Sequence, residues 1–108
     1  MPVITARQLR ENPELSEFSS FGIIKLKRGK TTESHFHDCD EWWFITRGRA
    51  LIATEGEEHE VGPGDMIYTP AGEDHEIIEV YQTLEGVYIE GPLVGEKRRG
   101  HLHHGEDQ

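Results

Sequence analysis

The 108-residue chain has little of several things, and each shortage narrows what it can be. Its one cysteine, Cys39, cannot form an internal disulfide, so a reducing, cytoplasmic location is expected. No apolar run approaches the roughly 18 residues that a membrane-spanning helix needs. Residues 1–10 show no apolar core of the kind that a secretion signal carries. Basic residues are scarce, 11 Lys and Arg against 21 Asp and Glu, and the formal net charge is −10. That balance gives no general attraction to phosphate backbones or anionic membranes. The basic cluster Lys97, Arg98 and Arg99 stands beside Glu96 and is too short to reverse it. Neither nucleic acid nor a membrane is an expected partner. No helical period of useful length appears either, which argues against a helix bundle.

Turn formers, by contrast, are plentiful. Twelve glycines and five prolines divide the chain into short apolar runs, a pattern that suits strands. Hydrophobic residues at 34% and charged residues at 30% fit one globular domain with a thin core. Thr5 and Gln8 have the spacing of a capping box, which predicts a short helix ended by Pro13. Strands are expected over residues 21–27, 41–46, 50–54, 66–69, 75–81 and 84–90. Arg47-Gly48-Arg49 reads as a glycine-centred hairpin, Glu55-Gly56-Glu57 as a second turn and Gly62-Pro63-Gly64-Asp65 as a third. The expected fold is all-β, a single-domain antiparallel β-barrel or jelly roll over residues 18–94. A lead-in of residues 1–17 precedes it, and a polar tail of residues 95–108 follows. The tail, with His101, His103 and His104, reads either as a solvated terminus or as a strap over the barrel mouth or a partner subunit.

His35 and His37 are two apart, so on a strand both imidazoles project from one face. Glu41 opens the next apolar strand after the polar bend Asp38-Cys39-Asp40. Two imidazoles and a carboxylate from adjacent strand ends make a chelating half-site for a first-row divalent metal. His75, delivered to a strand start by the turn Pro70-Ala71-Gly72, is the candidate fourth donor. Ligation needs neutral imidazole, so affinity is expected to fall below about pH 6.

These spacings resemble the cupin family. Gly29, His35, His37, Glu41 and Gly48 match its first motif without departure, and Gly64, Pro70, Gly72 and His75 match its second. One position departs: Glu79 stands where the second motif usually ends in asparagine. The resemblance covers Gly29 to Glu79 directly. It implies a small β-barrel holding one divalent metal ion (Mn, Fe, Ni, Zn, Co or Cu) on His35, His37, Glu41 and His75. Four ligands on an octahedral ion leave two positions for water or an oxygenated substrate. Three neutral imidazoles and one carboxylate leave net charge +1, which suits a small anionic or oxygen-rich ligand.

Strict alternation from His75 turns Ile77, Glu79 and Tyr81 inward, and makes Glu79 a candidate general base. The same phase turns Trp43 inward as a pocket wall, with Tyr68, Tyr88 and Arg47 as further candidates for substrate contact. Trp42, Phe44, Ile78 and Val80 then lie on the outer face, an apolar surface best covered by a second copy, which predicts a homodimer. Cys39 reads as a small buried hydrophobe. The expected activity is that of a metal-dependent enzyme using the ion as a Lewis acid on a sugar, uronate, hydroxy acid or keto acid. Isomerase or lyase chemistry fits that description. The alternatives are a metal- and oxygen-dependent dioxygenase and a non-enzymatic small-ligand binding or sensing module.

Overall fold

The computed structural model describes residues 3–32, 34, 36–93 and 101–102, with side chains over 3–32, 34 and 38–91. The chain opens with helix α1 (Ala6–Glu11). The Thr5 hydroxyl accepts from the Gln8 backbone N–H at 3.1 Å, and the Gln8 side chain accepts from the Thr5 N–H at 2.9 Å. The capping box therefore forms as its spacing predicts, and Leu9 buries the helix against the sheet. The strands are β1 (Ser20–Leu26), β2 (Phe36–His37), β3 (Cys39–Thr54), β4 (Glu57–Val61), β5 (Met66–Thr69), β6 (His75–Leu93) and β7 (His101–Leu102). All pairings are antiparallel, as the all-β reading expects. No helix of the described residues is long and apolar enough to cross a membrane.

Two long strands make the frame. β3 and β6 pair along nearly their whole length at the middle of one five-stranded sheet, in the order β1-β6-β3-β4 with β5 also on β3, while β2 and β7 pair apart. The first half of β3 lies between β5 and the end of β6, and β1 extends that sheet. The second half pairs with β4 and the start of β6. Ile45, Ala50, Ile52, Val61, Ile77, Val80 and Leu84 form the core.

The expected hairpin at Arg47-Gly48-Arg49 is not one. β3 runs straight through it, and the pairing with β6 shifts register between Ile45 and Ala50 instead. Gly48, at φ +89°, sits in this bend where any Cβ would meet the Thr83 carbonyl oxygen at 2.1 Å. A glycine thus marks a corner in a continuous strand, because bulges as well as hairpins need positive φ and close backbone approach. For the same reason residues 75–81 and 84–90 are parts of one strand, β6. The turns at 55–57 and 62–65 do occur where expected.

A second correction changes the site. Ile52 pairs with Ile77 but Leu51 pairs with Glu79, so Ile78 is an extra residue, a β-bulge, and inside and outside exchange beyond it. Val80, expected outside, is 1% exposed and belongs to the core. Glu79 and Tyr81, expected inside, are exposed.

Candidate metal centre

Four polar residues lie side by side across the inner face of the sheet, on β1, β6, β3 and β5. Ser20 on β1 pairs with Glu90 on β6, Glu90 with Glu41 on β3, and Glu41 with Thr69 on β5. Their exposures are 5%, 2%, 5% and 4%. The next inward row holds Gly22, Tyr88, Trp43 and Ile67. Glycine at 22 is required there, because the Tyr88 ring lies within 3 Å of where its Cβ would stand.

His75 is also buried and begins β6 opposite Thr54. It lines a cavity with Trp43, Ile52, Ile67, Thr69 and Ile77. Thr69 is thus shared: it lies beside Glu41 in the pairing and beside His75 in the cavity. Glu41 and His75 therefore enter the same end of the interior from different strands. Trp43 lines that cavity. His35 lies outside the described residues, and of His37 the backbone alone is described, in β2.

Local contacts hold the two motifs together. The Asp40 carboxylate accepts from the Ala71 N–H at 2.8 Å, which ties the turn before His75 to the strand of Glu41. The Glu73 N–H donates to the Pro70 carbonyl at 3.1 Å and closes that turn. The Gly29 N–H donates to the Val80 carbonyl, the Thr32 N–H to the Ile77 carbonyl, and the Ile77 N–H to the Thr32 hydroxyl. The segment leading to position 35 is thus fastened along β6, two residues from His75. β7 pairs with β2, placing the backbone of His101 opposite that of His37. The part of the tail that is described, His101 and Leu102, thus pairs with the strand of a candidate ligand.

The remaining candidates separate. Tyr88 faces inward in the row behind Glu41 and Glu90. Tyr68 faces out and is 46% exposed, its ring stacked on Trp42 at 5.3 Å between centroids. It lies on the face of β5 opposite Thr69, so strand alternation takes it out of the cavity beside His75. Arg47 is exposed in the bend of β3, in register with Glu85, and does not line that cavity either. Glu79 belongs to an acidic outer surface. The Tyr81 phenol is pushed above its ordinary value of 10.0 by partial desolvation and by the nearby carboxylates Glu60, Glu79 and Glu58. A base on that outer surface does not reach a substrate in the interior, so the bulge removes Glu79 from proton transfer there.

Glu90 is the residue that sequence reasoning missed. Its carboxylate accepts hydrogen bonds from the Ser20 hydroxyl at one oxygen and from the buried Cys39 thiol, 3.8 Å away, at the other. The signal was present only in part. Alternation across 86–90 puts Glu90 on one face with Tyr88, but which face that is depends on the bulge at Ile78.

Residues 22–89 match the family model of the cupin domain. The chain belongs to the cupin family. Among curated relatives, the uncharacterized protein y4oW of Sinorhizobium fredii is 40% identical over 79 residues, 73% of this chain and 37% of that protein. The Bacillus subtilis oxalate decarboxylase OxdC is 28% identical over 91 residues, 80% of this chain and 23% of the enzyme. This cupin therefore spans little more than a third of the first relative and less than a quarter of the second. Among solved structures, a predicted oxalate decarboxylase of Thermotoga maritima superposes with a TM-score of 0.67 at 24% identity, covering 78% of this chain and 74% of that one. At that identity the likeness speaks for the fold.

Proposed function

We propose that this cupin is a metal-dependent enzyme of the lyase type acting on a small, oxygen-rich carboxylic acid. The observation that carries the reading is that Glu41 and His75, both buried, flank the shared Thr69 at one end of the interior. A carboxylate and an imidazole placed there are costly unless they are paired or bind a cation. Carboxylate and imidazole together are donors for first-row divalent ions, so the residues fit the group. His35, His37, Glu41 and His75 would hold one such ion. Bound there, it supplies Lewis-acid polarisation of a substrate oxygen.

The protein contributes the rest. Trp43, Ile52, Ile67 and Ile77 make the cavity wall apolar, which excludes water and strengthens polar contacts within it. Thr69 adds a hydroxyl beside Glu41. The similarity to oxalate decarboxylase favours lyase over isomerase chemistry and a small acid over a sugar. A buried thiol held against Glu90 fits a reducing, cytoplasmic setting.

The test begins with elemental analysis of protein purified without added metal. About one divalent ion per chain is expected, lost in Glu41→Gln and His75→Ala variants that keep a cooperative thermal transition. Decarboxylation of small dicarboxylates and keto acids, measured with and without oxygen, then separates the classes. Oxygen consumed in proportion to product would move the protein to the dioxygenases. Metal-free wild-type protein after growth in metal-rich medium would end the reading.

The second sheet face supports the homodimer. Ile23, Val87, Phe44 and Met66 form one row in register across β1, β6, β3 and β5, and each is exposed. Three inter-strand steps of about 4.8 Å make that row roughly 14 Å long. Phe21, Ile89, Trp42 and Tyr68 form a parallel row beside it. An uncharged surface of this extent on a chain of net charge −10 suits a second copy of itself.

A further inference from the structure

Glu90 stands inside the same end of the sandwich as Glu41, and neither motif contains it. The two carboxylate-bearing residues are directly opposite each other on β3 and β6, with Cβ atoms about 5 Å apart in such pairs. Both are buried. Two like groups so placed repel through a medium of low dielectric, and a divalent cation on one of them relieves the repulsion. The oxygens of Glu90 are not aimed at random. One accepts from the Ser20 hydroxyl and the other from the Cys39 thiol, so the carboxylate is braced by β1 on one side and by the start of β3 on the other. Glu41 lies two residues beyond Cys39 on β3.

We propose that Glu90 is a positioning residue of the metal centre, a braced second carboxylate facing Glu41 that raises the affinity of the site for a divalent cation. The inference rests on the metal reading above and goes beyond it. Three imidazoles and Glu41 leave a bound divalent ion with charge +1, and Glu90 brings the interior to neutrality. Ser20 and Cys39 spend their hydrogen bonds on holding it in place. Outer partners of metal ligands typically change metal affinity about 10- to 100-fold, and Glu90 acts here through its charge opposite Glu41.

The experiment is calorimetric titration of Mn2+ into metal-stripped, full-length protein at one fixed pH, with a thermal melt of each metal-free variant. Glu90→Gln is expected to weaken Mn2+ about 10- to 100-fold. Its metal-free melting temperature should equal or exceed that of the wild type, because the like charge opposite Glu41 is gone. Glu90→Asp, which keeps the charge, should recover most of the affinity. Ser20→Ala, which removes one brace, should lose affinity by a few-fold. A Glu90→Gln variant that binds Mn2+ within twofold of the wild type overturns the proposal and leaves the metal site standing. Should that variant fail to fold, an unchanged affinity in well-folded Ser20→Ala overturns it equally. Wild-type protein that binds no Mn2+, Fe2+ or Zn2+ defeats the underlying metal reading instead.

Discussion

Ile78 occupies one extra position in β6, and that single residue carries Glu79 from the inside of the sandwich to its surface. Beyond it, even-numbered residues face inward, which buries Val80 and Leu84 and brings Tyr88 and Glu90 to the cavity end. Which side chains of β6 reach the interior therefore follows the bulge rather than strict alternation from the motif. Glu79→Gln should change folding stability by no more than about 0.5 kcal/mol, as surface substitutions do. Metal content and turnover should stay at wild-type levels, read by urea denaturation, elemental analysis and activity. Loss of turnover with metal retained would put Glu79 back in the reaction.

β3 and β6 do the work that four shorter strands were expected to do. They form the middle of the five-stranded sheet from one pair, and Gly48 stands where their register shifts. A side chain there would need both an unfavourable φ and a displaced Thr83 carbonyl. Gly48→Ala should therefore cost about 3 kcal/mol or more, at the upper end for strained positions. The midpoint of chemical denaturation reads it. A cost under about 1 kcal/mol, the ordinary glycine-to-alanine scale, would mean that the bend yields easily. The same region bears on the proposed metal centre, since Trp43 and Thr69 from one half and Ile52, Thr54 and His75 from the other line one cavity.

The two outer faces of the molecule differ. One carries Glu58, Glu60 and Glu79 around Tyr81; the other carries Ile23, Val87, Phe44 and Met66. On the homodimer proposal, like charge would keep two copies apart on the first face, and burial of apolar surface would draw them together on the second. Ile23 is 77% exposed and Met66 57%, so a charge at position 23 costs the monomer little. Light scattering should give twice 12.4 kDa for the wild type and a single chain for Ile23→Asp at micromolar concentration. A wild-type monomer under those conditions removes the dimer.

Local patterns were enough to read what depends on local physics. Spacing alone identified the capping box, the turns at 55–57 and 62–65, and β5 to the residue. It also named Glu41 and His75, which are buried, and His35 and His37, whose side chains lie outside the described residues. Periodicity of two predicted the faces of Trp42, Trp43 and Phe44, because no bulge intervenes between Glu41 and Ile45. Only the tertiary structure decided the phase beyond Ile78, the continuity of β3 through Gly48 and the entry of Glu90 into the interior. Each of these depends on register between strands far apart in sequence, and register is set by pairing energy and packing that no single segment contains.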